Sequence, residues 1–156
     1  MKTRLAFLAS FVVLIVALAA TTTATAGPGG SDGATMCVST TQLLAENEVP
    51  TSNSTSFGVT QIKVRNDGTI EFNTHIVNPD GETFAAGHIH IGPEGVAGPV
   101  VQSLFQGGPT TDPQIMQSGA VANPTLAAAI CANPSAYYVN YHTAQVPSGA
   151  VRGQLG

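Results

Sequence analysis

The residues of this chain best suited to chemistry are its four histidines, two of which form the triplet His88-Ile89-His90. Successive side chains of a β-strand point to opposite faces, so His88 and His90 would share one face at a separation of about 6–7 Å. Two imidazoles at that spacing can bind one metal ion. His75 and His142 lie in other segments with strand-like patterns. Because only 9% of the residues are charged, few other side chains could carry out a reaction.

Hydrophobic alternation places these histidines on the faces of strands that point away from the core. In residues 137–142, for example, the apolar positions alternate with Tyr138, Asn140 and His142. The residues assigned to outer faces in this way are His75, His88, His90, Asn140, His142 and Arg152. We interpret His88, His90 and His142 as one site, whereas for His75 a solvated surface position is the preferred interpretation. Solvation of all four remains the alternative.

The elements that must position these residues are short strands separated by Gly- and Pro-containing turns. Asn66-Asp67-Gly68 predicts a hairpin turn, and residues 106–122 are assigned to a polar loop. Asn123 and Pro124 predict the start of one short helix, at 125–131. The predicted strands are 37–44, 58–65, 70–76, 88–91, 100–105, 137–143 and 150–155. This pattern indicates an all-β, antiparallel sandwich or barrel with one short helix.

The N-terminus has the features of a secretory signal peptide: a basic start, an apolar run and small residues that end at Ala26. We predict cleavage after Ala26, a flexible leader over residues 27–36 and one domain over 37–156. An uncleaved membrane anchor is the alternative, although the apolar run is short for a span. The secreted product would be extracellular or periplasmic, with no membrane span of its own.

The predicted mature domain is acidic. Removal of residues 1–26 leaves three basic residues against nine acidic ones, a balance of −6. Nucleic acids and anionic membranes are bound by basic patches, so neither is expected as a partner. No P-loop, dinucleotide-binding or nucleophile-elbow motif is present.

Cys37 and Cys131 are the two cysteines of the chain. An even pair in an oxidising compartment favours a disulfide, which would close a loop of roughly 95 residues. Two separate buried thiols remain the alternative.

Four segments, in order along the chain, resemble the motifs of the CHRD domain family. They are residues 45–50 (AENEVP), 86–93 (AGHIHIGP), 138–143 (YVNYHT) and 149–155 (GAVRGQL). The family is named for chordin, is widespread in secreted bacterial proteins, and has no settled biochemical activity. The resemblance covers nearly all of the predicted domain. It implies an immunoglobulin-like β-barrel that has been likened to copper–zinc superoxide dismutases.

The likeness to dismutases implies roles for individual residues. His88 and His90 resemble the His-x-His copper pair, His142 a later copper ligand, and Arg152 the arginine that guides the anion. His75 could be a fourth ligand, but it precedes the pair instead of following it. The histidine-and-aspartate zinc loop of that analogy is missing from this sequence, so metal binding is better supported than dismutase activity.

Three imidazoles with an open position suit copper or zinc. Asn140 is a candidate to hydrogen-bond to the ligand histidines and orient them. Glu46 and Glu48 are candidates for the same role, or they could instead pair with Arg152 at the surface. The preferred function is therefore a secreted, non-catalytic binding module with a histidine metal site. A dismutase-like copper oxidoreductase and a metal-free extracellular adhesion or matrix domain are the alternatives. No recognisable motif identifies an extracellular protein or matrix partner.

Overall fold

The computed structural model describes residues 33–156, so the predicted signal peptide and most of the predicted leader lie outside the described residues. Eight strands and one α-helix make up this part of the chain. They are β1 Thr35–Leu43, β2 Phe57–Arg65, β3 Thr69–Val77, β4 Phe84–Ile91, β5 Val100–Ser103, β6 Gln114–Ala122, α1 Pro124–Ala132, β7 Tyr137–Thr143 and β8 Val151–Gln154. Short 3₁₀ turns at Ala45–Asn47 and Pro134–Ala136 precede β2 and β7.

The strands form two antiparallel sheets, with the orders β1-β2-β3-β6 and β5-β4-β7-β8. Each sheet has two edge strands, so the fold is an open sandwich. The predicted all-β sandwich with one short helix is confirmed, and the barrel alternative is wrong. The sheets meet where β1 ends: Leu44 exchanges backbone hydrogen bonds of 3.0 and 3.1 Å with Arg152 of β8.

The hydrophobic core fills the space between the two sheets, as the alternation of apolar residues predicts. Its largest fully buried side chains are Tyr141, Phe84, Leu43, Ile62, Ile70, Ile76, Ile89, Leu104, Ile130, Val64, Val139 and Val151. The predicted hairpin between β2 and β3 is present, and Gly68 at its turn adopts φ = +84°, a conformation that favours glycine. The turn thereby joins β2 and β3 in the register that directs Ile62 and Phe72 into the core.

Helix α1 begins as its sequence predicts. The side chain of Asn123 accepts a hydrogen bond from the backbone N–H of Leu126 at 3.2 Å, and Pro124 occupies the first turn. The predicted disulfide is also confirmed, since Cys131 near the end of the helix is bonded to Cys37 of β1. The alternative of two separate thiols is wrong.

The start of β1 and the whole of β6 differ from the sequence prediction. Strand β1 begins at Thr35, so the last residues of the predicted leader are already in the sheet. Strand β6 lies in the region assigned to a loop, paired with β3 along its whole length. The prediction missed β6 because two of its inward positions are Gln117 and Gly119. Gln117 accepts a hydrogen bond from the Gln106 N–H at 2.7 Å, and Gly119 lies against Phe72, so neither gives an apolar signal.

Candidate metal site

Three of the four histidines meet on the outer face of the second sheet. His88 and His90 belong to β4 and His142 to β7, which pairs with β4 directly. One ring nitrogen of each imidazole lies within 4.8 Å of the corresponding nitrogens of the other two. The sequence interpretation of these three residues as one group is therefore consistent with their positions.

The register explains how the three rings converge. His88 lies opposite Asn140, and relative to this pair His90 is displaced along the strands in one direction and His142 in the other. The ring centroids are nevertheless only 5.0 Å apart for His88 and His142, 5.6 Å for His88 and His90, and 5.9 Å for His90 and His142. The outer two rings thus lean inward over the row that holds His88 and Asn140.

Backbone carbonyls orient two of the imidazoles. His90 Nδ1 lies 2.8 Å from the carbonyl oxygen of Gly98, and His142 Nδ1 lies 3.1 Å from that of Pro147. A carbonyl oxygen can only accept, so each Nδ1 carries the proton and each Nε2 presents a lone pair. A second hydrogen bond that fixes the tautomer in this way is usual for metal-binding histidines.

Each of the three imidazoles also has one ring nitrogen without a hydrogen-bond partner among the described residues. His88 Nδ1, His90 Nε2 and His142 Nε2 are buried atoms without a hydrogen-bond partner. Burying such a group unpaired costs roughly 1–3 kcal/mol. Imidazole nitrogens suit copper and zinc, so this set of donors fits the metal ions inferred from the sequence.

Burial also holds the three imidazoles in the neutral form that binds metals. It lowers the pKa of His88 to about 4, with a further contribution from the neighbouring His142 and His90. Burial likewise lowers the pKa of His90 and of His142, although their hydrogen bonds to backbone carbonyls act in the opposite direction.

A loop, residues 92–99 between β4 and β5, covers part of this face, and Tyr138 holds it in place. The Tyr138 hydroxyl accepts from the Gly98 N–H at 3.0 Å and lies 3.2 Å from the Gly98 carbonyl oxygen. The same ring stacks on His90, with centroids 4.8 Å apart. Tyr138 therefore orients His90 both directly and through Gly98.

Arg152 packs over the ring of Tyr138, with its guanidinium carbon 3.4 Å from the ring centre. The guanidinium donates to the carbonyl oxygens of Val96 and Pro93, each at 3.0 Å, and to Gln154 Oε1 at 3.1 Å. Only 2% of Arg152 is exposed. Its position indicates that it anchors the loop, instead of guiding an anion to the histidines.

The sequence predicts that these residues face away from the core and are exposed at the surface, and the second part of this prediction is wrong for three of them. His90, Asn140 and Arg152 do point away from the core, yet all three are buried. Strand alternation identifies the face on which a side chain lies but contains no information about a loop that later folds over it.

Asn140 and Glu48 form a buried polar pair beside the histidines. Asn140 Nδ2 donates to Glu48 Oε2 at 2.9 Å. Burial raises the pKa of Glu48 to about 7, although Arg152 and the hydrogen bond from Asn140 lower it. The sequence left open that Glu48 pairs with Arg152 at the surface. This alternative is wrong, because both side chains are buried and no ion pair within 4.0 Å joins them.

His75 is not part of this group. It lies on β3 in the other sheet, where its Nε2 is 2.5 Å from Gln114 Oε1. A separate cleft of about 460 Å³ is lined by Glu46, Glu48 and Arg152, among others, and by none of the histidines. Tyr138 is not among the site residues predicted from the sequence, although its alternation with Asn140 and His142 contained the signal.

The fold and site define an all-β sandwich with a three-histidine cluster beneath a surface loop. Comparison of the sequence with protein families finds the CHRD domain over residues 39–155. The chain belongs to the CHRD domain family. Neither the curated proteins nor the solved structures include a match. Within residues 33–156, no helix is long and apolar enough to cross a membrane.

Proposed function

We propose that this CHRD domain is a secreted binding module that holds one divalent metal ion, copper or zinc, through His88, His90 and His142. The proposal is carried by the convergence of one ring nitrogen from each imidazole within 4.8 Å, and each ring also has a buried nitrogen without a hydrogen-bond partner. Neutral imidazoles, two of them with tautomers fixed by backbone carbonyls, require little reorganisation to bind an ion. The disulfide fits an oxidising compartment, which supports secretion and cleavage after Ala26 as part of the same proposal.

Copper is the stronger candidate on affinity, because the stability of divalent complexes peaks at Cu²⁺. Zinc is also compatible with three histidines and an open position. None of the three donors is a carboxylate, so no hard oxygen ligand among them favours Mg²⁺, Ca²⁺ or Mn²⁺.

A dismutase-like copper oxidoreductase is less well supported by the arrangement around Arg152. Guidance of an anion needs a guanidinium with free donors near the metal. Here NH1 and NH2 of Arg152 donate to the covering loop and to Gln154, and the Tyr138 ring lies between Arg152 and His90. The preferred function is accordingly binding without turnover.

Metal analysis of protein purified without a histidine tag tests this proposal. We expect about one copper or zinc ion per chain after supplementation and dialysis. His90→Ala removes one of three ligands and should abolish tight binding, whereas His75→Ala, on the other sheet, should leave it unchanged.

The outcomes separate the three functions. Wild-type protein that retains neither metal would leave only the metal-free structural domain. A copper-loaded protein that dismutates superoxide would favour the enzyme over the binding module. Equal metal retention by His90→Ala and wild type would refute the assignment of the ligands.

A further inference from the structure

The buried side-chain polar atoms that lack a hydrogen-bond partner are not scattered through the described residues. All of them lie on or beside the outer face of the second sheet: His88 Nδ1, His90 Nε2, His142 Nε2, Asn140 Oδ1 and Glu48 Oε1. The three ring nitrogens are explained by the proposed metal ion. Asn140 Oδ1 and Glu48 Oε1 still need an explanation, because a buried acceptor without a partner is costly.

The register of β4 and β7 places Asn140 in the row between His90 and His142. Asn140 is opposite His88, and the rings of His90 and His142 lean from either side toward this row. Only 3% of Asn140 is exposed. The Asn140 side chain is therefore a buried polar group in the row toward which the rings lean.

Glu48 orients the amide of Asn140. Glu48 follows the 3₁₀ turn Ala45–Asn47, and this turn is attached to β8 through the hydrogen bond from Asn47 Nδ2 to the Arg152 carbonyl oxygen at 3.1 Å. Asn140 Nδ2 is directed to that side by its bond to Glu48 Oε2. The amide oxygen, on the same carbon, is directed away from Glu48, and His88 is the residue opposite Asn140 on β4. The bond uses an amide N–H of Asn140, so the amide oxygen is the atom of this side chain left without a partner.

We propose that Asn140 Oδ1 supplies the fourth donor to the metal ion held by His88, His90 and His142. This inference rests on the proposed function and adds a neutral oxygen to its three nitrogens. A carboxamide oxygen is a weak donor of the kind that occupies an axial position in some copper sites. Glu48 is then a positioning residue, which acts on the ion through Asn140.

Electron paramagnetic resonance of the Cu²⁺ form at pH 8 tests the fourth donor, with affinity measured by chelator competition. Asn140→Leu keeps the approximate size of the side chain and removes its oxygen. We expect a changed copper hyperfine splitting and an affinity lower by about tenfold or more.

The control is Asn73→Leu, the same substitution at an exposed position on the first sheet, which should change neither spectrum nor affinity. If Asn140→Leu does not fold, the Zn²⁺ form of the wild type gives a second measurement. The side-chain amide signals of Asn140 should then shift on zinc binding by more than those of any other asparagine.

Failure of this inference is distinguishable from failure of the proposed function. Wild-type protein that binds neither Cu²⁺ nor Zn²⁺ refutes both. Wild-type protein that binds copper, with an Asn140→Leu variant of identical spectrum and affinity, refutes only the role of Asn140. An unshifted Asn140 amide in the zinc-loaded wild type refutes it as well.

Discussion

Burial of His88 has a consequence for stability that can be measured without any metal. Its pKa in the folded protein is about 4, whereas an unfolded histidine titrates near 6.5. Between these values the unfolded chain binds more protons, so protonation favours unfolding. The contribution of neutral His88 is complete above pH 6.5 and is lost as the pH falls through 4.

We therefore predict that metal-free wild type loses stability relative to His88→Leu as the pH is lowered from 6.5 to 4. Glu48 acts in the opposite direction, because its pKa is raised from 4.5 to about 7. The comparison with His88→Leu cancels this contribution, since both proteins retain Glu48. Denaturant unfolding at several pH values measures the difference. A difference that is constant with pH would contradict the buried neutral state of His88.

The hydroxyl of Tyr138 gives a second prediction for a single residue. Tyr138→Phe preserves the stacking on His90 but removes both contacts with Gly98. We expect a stability loss of about 1 kcal/mol and weaker metal binding, because the carbonyl that orients His90 is less firmly held. Isothermal titration with Zn²⁺ measures the affinity. Tyr137→Phe, on the core side of the same strand, is the control, and equal affinities for both variants would contradict the role of the hydroxyl.

At the level of elements, loops from opposite ends of the second sheet hold the candidate site. Residues 92–99 connect β4 to β5 and supply the carbonyl that orients His90, while the connection from β7 to β8 supplies the carbonyl of Pro147 for His142. The strands therefore set the spacing of the three histidines, and the loops fix the tautomers of His90 and His142.

Arg152 is the main anchor of the loop over residues 92–99, which leads to a prediction for Arg152→Lys. Lysine keeps the charge but cannot span the carbonyls of Pro93 and Val96 as the planar guanidinium does. We expect a destabilisation of roughly 1–3 kcal/mol and faster amide exchange of Val96, measured by hydrogen–deuterium exchange. Arg65→Lys on the first sheet should not alter that exchange. Unchanged protection of Val96 in Arg152→Lys would contradict the anchoring role.

The sequence allowed prediction of strand phase but not of what covers each face. Alternation identified the side of the sheet on which His88, His90 and His142 lie, because a period of two is a local property of the chain. It could not show that β4 pairs with β7, nor that a loop anchored by Arg152 would bury His90. Both depend on contacts between residues far apart in sequence.

At the scale of the whole molecule, the candidate site and the disulfide belong to different parts of the sandwich. The three histidines are carried by β4 and β7 of the second sheet, whereas Cys37 and Cys131 join β1 of the first sheet to α1. The two features should consequently be separable by experiment, one affecting metal affinity and the other the stability of the fold.

The disulfide spans a sequence separation of 94 residues, so its removal should greatly increase the entropy of the unfolded chain. For a loop of this length the expected loss is about 4–5 kcal/mol. Simultaneous Cys37→Ser and Cys131→Ser substitutions should lower the free energy of unfolding by an amount of this order, measured with urea. Below the new unfolding transition, Zn²⁺ affinity should equal that of the wild type, because neither sulfur contacts β4 or β7 residues of the candidate site. Loss of metal binding while the variant is still folded would show that the two sheets are coupled, and an unchanged free energy of unfolding would contradict the stabilising role of the disulfide.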